Sequence, residues 1–156
     1  MIKRIVSGGQ TGADRAGLDA AIAAGVPHGG WCPRGRKAED GPIPERYNLT
    51  ETKSASCLTR TELNARDSDG TVILTMGALS GGSKWTAEFA DKHGRPWLHL
   101  RLDGMTDEGA QAAVRAFVEE NGIRALNVAG SRGSKEPELN GRVRSILVAV
   151  LRELGG

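Results

Sequence analysis

Ser7-Gly8-Gly9-Gln10-Thr11-Gly12-Ala13-Asp14-Arg15 carries the chain from an apolar run into an alanine-rich one through three glycines. A helix entered this way presents unpaired N–H groups and the positive end of its dipole, a seat for an anion. Glycine lets the backbone come close to a phosphate because no Cβ intervenes. The stretch has neither the lysine of a P-loop nor the G-x-G-x-x-G spacing of a dinucleotide site. A plain strand-to-helix turn is the alternative. A second segment of the same kind runs from Thr75 through Gly77 to Ser80-Gly81-Gly82-Ser83. It either offers further N–H groups to negatively charged oxygens or serves only as a helix cap. Two such seats on one edge would suit an elongated or polyanionic ligand.

Between these segments, Gly30 to Gly41 sets Trp31 beside Arg34, Arg36, Glu39 and Asp40. An indole stacks on rings, an arginine holds phosphate bidentately, and a carboxylate accepts ring N–H bonds. Together they would recognise a heteroaromatic phosphate ester. The alternatives are a packed loop anchor for Trp31 and salt bridges between the two acids and the neighbouring arginines. Cys32 has no histidine neighbour and reads as a buried thiol. His28, His93 and His99 stand apart, no grouping has metal-ligand spacing, and no G-x-S-x-G elbow occurs. Glu88, on the helix expected after Gly82, is a general base if it faces a cleft and an ordinary surface glutamate if it does not.

These residues need a frame to hold them. Ile2 to Val6 reads as a strand, and Ala13 to Ala24 as a helix closed by Gly25. Val26 to Ser56 reads as a long irregular segment with a short strand near His28 to Trp31; such segments are often functional. Leu58 to Asp67 is an expected helix, and Thr71 to Thr75 a continuous apolar strand of the kind buried on both faces. A helix from Gly81 to Gly94, a strand from Pro96 to Leu102 and a helix from Asp107 to Asn121 follow, the last capped by Gly122. Arg124 to Ala129 is the final strand. Val143, Ile146, Leu147, Val150, Leu151 and Leu154 then mark one face of a closing amphipathic helix. Strands alternating with helices in apolar runs specify an α/β fold. It is expected to be Rossmann-like and doubly wound, a mainly parallel sheet of about five or more strands with helices on both faces. One domain over 1–156 is expected. Ligands of such sheets lie beyond the carboxyl ends of the strands, near a switch in strand order. That places Ser7 to Asp14, Thr75 to Ser83, Asp103-Gly104 and Asn127 to Arg132, with Gly130, at the candidate rim.

A chain of 156 residues can bury a core without staples. Two cysteines without metal or disulfide spacing fit a reducing cytoplasm. No secretory leader or membrane span is expected. A formal charge of +2 gives no footing for a nucleic-acid partner.

Several longer motifs occur in order: Ile5 to Arg15, Gly29 to Pro44, Arg60-Thr61-Glu62, Arg66 to Thr71, Leu79 to Ser83, and Leu126 to Gly130. With them the chain resembles the molybdenum cofactor carrier proteins. Their Rossmann-like superfamily also holds the cytokinin-activating phosphoribohydrolases and DNA-processing protein A. The resemblance implies a homo-oligomer, dimer or tetramer, that binds the molybdenum cofactor as cargo. That cargo is a pterin with a terminal phosphate and a dithiolene holding molybdenum, so the protein need supply no metal ligand. Molybdoenzymes or cofactor-biosynthesis proteins would be partners. Residues and resemblance together give a candidate binding set of Gly8, Gly9, Gln10, Thr11, Gly12, Asp14 and Arg15 from the first loop. Trp31, Arg34 and Arg36 would lie against pterin or phosphate, with Glu39 and Asp40. Thr75, Gly77, Ser80, Gly81, Gly82 and Ser83 would come from the second loop, and Asn127 and Gly130 from the last strand. The alternative is a nucleotide-binding relative: a nucleoside-monophosphate phosphoribohydrolase using Glu88, or a sensor of an ADP-ribose-like nucleotide. The hydrolases' second loop reads G-G-x-G-T-x-x-E, whereas Lys84 and Trp85 stand here for its inner glycine and threonine. In the last loop Ser131 and Gly133 replace the proline and glutamate of A-G-P-R-E-S.

Overall fold

The computed structural model describes Met1 to Gly155; Gly156, the last residue of the expected 1–156 domain, lies outside the described residues. Strand β1 (Arg4–Val6) buries Ile5 and Val6 and leads into helix α1 (Ala13–Ala24). Alanine gives α1 its helical bias. Gly25 ends the helix in the left-handed conformation and turns its N–H back to the Ala21 and Ile22 carbonyls. Next come β2 (His28–Gly29), β3 (Trp31–Cys32), β4 (Lys37–Ala38), β5 (Gly41–Pro42) and β6 (Thr50–Glu51). Helix α2 (Cys57–Arg66) starts under the hydroxyl of Ser56, which accepts from the Leu58 N–H. Strand β7 (Gly70–Thr75) is buried throughout, as its apolar run specifies. Then follow α3 (Gly81–Lys92), β8 (Trp97–Arg101), a 3-10 turn (Leu102–Gly104), α4 (Asp107–Asn121), β9 (Ala125–Gly130) and α5 (Leu139–Leu154).

The central sheet has five strands in the order β2-β1-β9-β7-β8, and every pairing in it is parallel. The chain winds outward one way from β1 to β2 and the other way from β7 to β8. The last strand, β9, then returns to the middle. The switch in direction therefore lies around β1, β9 and β7, and their carboxyl ends share one rim.

The segment Val26 to Ser56 is more ordered than its sequence suggests. A parallel β3–β6 pair and an antiparallel β4–β5 hairpin, turning at Glu39-Asp40, fold over the first loop. Leu18, Cys32, Ile43 and Tyr47 form a small core beneath it. Two-residue strands carry too little periodicity to be read from side-chain pattern.

The main core lies between the sheet and α1, α4 and α5. Val143, Ile146, Leu147 and Val150 of α5 are fully buried beside Val72, Leu74 and Leu126 of the sheet. Small residues bring α1 close: a Cβ on Gly17 would stand 2.7 Å from Val128 Cβ. Among the described residues no helix is long and apolar enough to cross a membrane.

Ile146→Ala leaves a hole in this core. It is expected to lower unfolding free energy by about 2–5 kcal/mol in urea titration, whereas a loss under about 1 kcal/mol would contradict the packing described.

Candidate functional site

Beyond the carboxyl ends of β1, β9 and β7 opens a cleft of about 300 Å³. The first loop gives it Gly8, Gln10 and Asp14; the start of α3 gives Ser80, Gly81, Gly82, Ser83 and Thr86. The end of β9 and the loop after it add Asn127 to Arg132 and Lys135, and α2 adds Arg60, Thr61 and Asn64. The two glycine segments and the β9 loop thus meet at one place, as the topology requires. The approach is close enough to demand glycine. At φ 82° a Cβ on Gly12 would run into the Ser131 carbonyl. On Gly130 it would strike the Leu74 carbonyl and stand 2.7 Å from Ala13 Cβ. Asp103-Gly104 is absent from this cleft. It follows the edge strand β8, and Asp103 pairs with Arg101 at 2.9 Å.

The two loops differ in how their N–H groups are used. In the first, the Gln10 N–H donates to Asp14 Oδ2 at 3.2 Å and the Thr11 N–H to Gln10 Oε1 at 3.1 Å. The Ala13 N–H donates to the Ser131 carbonyl at 3.1 Å. Part of the head of α1 is therefore spent inside the protein. The N–H groups of Gly8, Gly9, Gly12 and Asp14 are without a partner among the described residues. At α3, Ser80 N–H donates to Ser83 Oγ at 3.1 Å, but Gly81 and Gly82 N–H have no partner among the described residues. Open space surrounds both glycines. The unpaired amides and dipole end of α3 face the cleft unopposed.

Cations gather opposite. Lys135 reaches across to Ser80 Oγ. Arg60 enters from α2 with its Nη1 3.0 Å from Asp14 Oδ2, each side chain one-tenth exposed. Burial pushes the Asp14 carboxyl above its ordinary value, opposed by the Arg60 charge and the Gln10 N–H. Gly8 makes room for this pair, since a Cβ there would collide with the Arg60 guanidinium. Arg60, Thr61, Asn64 and Lys135 were not legible as site residues. The one signal was the Arg60-Thr61-Glu62 motif, whose first two residues line the cleft.

The hairpin residues serve this rim from behind. Glu39 accepts from Thr11 Oγ1, from Ser134 N–H at 2.9 Å and from Ser134 Oγ at 2.6 Å. Thr11 Oγ1 in turn accepts from the Gly133 N–H at 3.0 Å. Asp40 holds Arg15 by two bonds of 2.5 and 2.7 Å, and Arg15 Nε caps the Gly9 carbonyl at 3.0 Å. Local pairing thus accounts for both acids, with partners on α1 and the β9 loop instead of the neighbouring arginines. Arg36 spends its guanidinium on the carbonyls of Ile43, Pro44, Tyr47 and Leu49, the shortest at 2.9 Å. Arg34 is exposed and lines neither cavity. Trp31 lines a separate hollow of about 180 Å³ with Arg4 and Asp67, its indole N–H 2.9 Å from the Asp67 carboxylate. The structure does not bring Trp31, Arg34 or Arg36 to the cleft. Thr75 is buried, its hydroxyl on the Gly77 carbonyl and 2.7 Å from His99 Nε2; neither Thr75 nor Gly77 lines the cleft.

Glu88 is exposed and lines no part of the cleft. At 3.6 residues per turn it faces away from Gly82, while Thr86, one turn on, shares the cleft side and donates to the Gly82 carbonyl at 3.0 Å. Glu88 thus stands outside the cleft that the two loops share. Among the described residues no group of three or more His, Cys, Asp or Glu could hold a metal ion.

Fold and site define a Rossmann-like α/β protein with a polar, cation-lined cleft at the switch point of its sheet. Residues 5–151 match the circularly permutated YpsA SLOG family, and the chain belongs to it. It is similar to the crystal structure of a "putative molybdenum carrier protein" from Syntrophus aciditrophicus SB. The two superpose with a TM-score of 0.94 at 45% identity, over 96% of this chain and 95% of that one. No curated protein matches the chain.

The hydrogen bonds from Ser134 and Thr11 hold the Glu39 carboxyl below the ordinary glutamate value of 4.5. A depressed folded pKa stabilises above the unfolded value and ceases to do so as pH falls through the folded one. Wild type should therefore melt higher than E39Q at pH 7, with the gap closing below about pH 4.5. A gap unchanged down to pH 3 would show that the carboxylate holds nothing.

Proposed function

We propose that the chain is a non-enzymatic carrier of the molybdenum cofactor, with the phosphate end of the pterin seated in the cleft. One observation carries this: the open N–H groups of Gly81 and Gly82, Lys135 and Arg60 converge on one cleft at the switch point. Backbone N–H groups at a helix N-terminus, with an ammonium and a planar guanidinium opposite, match a phosphate in charge and shape. A volume of about 300 Å³ is at the small end for ligand sites. It suits the anchoring group of a larger molecule whose remainder extends over the rim. Molybdenum, held by the sulfurs of the pterin, asks for no protein ligand. The similar chain from Syntrophus bears the name "putative molybdenum carrier protein", and Glu88, outside the cleft, lends a hydrolase no support.

Carriage then means holding a labile molecule by one end, with the face laid against the rim withdrawn from water and oxidants. Free Cys32 and Cys57 are consistent with a reducing cytoplasm, where molybdoenzymes or cofactor-biosynthesis proteins would exchange cargo with it. The carrier is taken to work as a homo-oligomer.

The test is to incubate the protein with released cofactor under air and assay what still reconstitutes a cofactor-free molybdoenzyme. Wild type is expected to prolong transferable cofactor several-fold. Lys135→Ala and Gly8→Ala, which remove one cation and displace another, should lose most of that protection. No protection by wild type, or tight nucleotide binding with no affinity for the pterin, contradicts the carrier function.

A further inference from the structure

We infer that Asp14 makes the cleft selective for anions that bring a hydrogen-bond donor of their own, a protonated phosphate above all, over proton-free tetrahedral oxyanions such as sulfate. The inference rests on the cleft being the anion site proposed above. Asp14 stands in the cleft wall with only one-tenth of its side chain exposed. Its Oδ2 is doubly occupied, by the Gln10 N–H at 3.2 Å and Arg60 Nη1 at 3.0 Å. Its Oδ1 receives no donor among the described residues. Against that burial, the guanidinium and the amide on Oδ2 favour the ionised form, whose Oδ1 can only accept.

A buried carboxylate is an odd wall for an anion site unless it selects. Among the cleft's side chains, Arg60 comes from α2, Arg132 and Lys135 come from the loop after β9, and no histidine or second carboxylate is present. Arg15, on the same helix as Asp14, is turned away to Asp40. The cations and the α3 amides therefore attract any anion, while Asp14 alone sorts among them. Sulfate has no proton near neutrality, so it meets Oδ1 as like charge against like charge. Inorganic phosphate keeps at least one P–OH there and turns the same contact into a charge-assisted hydrogen bond. A phosphate monoester, whose second pKa lies near 6, gains the same contact as its monoanion. If Asp14 merely fastened Arg60 and Gln10, it would not distinguish the two ions.

Calorimetry of the full chain with phosphate and with sulfate, at pH 7.5 and equal ionic strength, decides between these. Phosphate is expected to bind about tenfold tighter or more. In Asp14→Asn, whose amide can donate to sulfate, the ratio should fall to within about threefold. The wild-type ratio stands by itself if that variant does not fold. Equal affinities in wild type, or an undiminished ratio in a folded Asp14→Asn, overturn the role of Asp14 while leaving the cleft an anion site. Binding of neither ion to wild type overturns the anion site itself, and the selectivity with it.

Discussion

The close approach of the carboxyl ends of β1, β9 and β7 is the constraint on which the rest of the molecule turns. β9, made last, is inserted between the two strands that start the opposite windings of the sheet. Its end, Gly130, pairs in register with Leu74 and passes so near Leu74 and Ala13 that no side chain fits. Gly12 crosses the Ser131 carbonyl under the same restriction. Three backbone segments distant in sequence are thereby brought together with little between them except main chain. Main-chain amides share the rim that results with Arg60, Arg132 and Lys135.

Close packing also decides which dipoles remain available. The head of α1 lies deepest, and the N–H groups of Gln10, Thr11 and Ala13 are taken by Asp14, Gln10 and Ser131. The head of α3 lies outermost, with Gly81 and Gly82 exposed and unpaired. The glycine-rich turn is thus partly structural in the first loop and open at its amides in the second. Asp14 couples the two roles, since it caps the first loop and holds Arg60 against the cleft. The hairpin tip completes the support: Glu39 and Asp40 tie it to the β9 loop and to α1, where a mobile loop would otherwise carry Arg132 and Lys135.

The sheet and its helices were legible because each long element has a strong period or a continuous apolar run. Thr71 to Thr75 and the α5 stripe through Ile146 are cases where burial leaves little choice. Strand order was not legible, because nothing local to Ala125–Gly130 says that it pairs with β1 on one side and β7 on the other. The glycine loops were found, but their difference was not, since the fate of an N–H depends on Ser131, 118 positions from Ala13 in the chain. Arg60 was missed because an arginine on an amphipathic helix reads as solvated surface. Only its contact with Asp14, 46 residues away, makes it part of the site. Arg36 failed in the opposite sense: its chemistry suits phosphate, yet four nearby carbonyls take its donors first.

α3, more than the turn before α1, offers its free amides to an anion in the shared cleft. Amide chemical shifts recorded by nuclear magnetic resonance during titration with phosphate test it most directly. Saturable shifts at Gly81 and Gly82, with a smaller response at Gly8 and almost none at Thr11 and Ala13, are predicted. Saturable shifts led by Thr11 and Ala13, or none at Gly81 and Gly82, would contradict it.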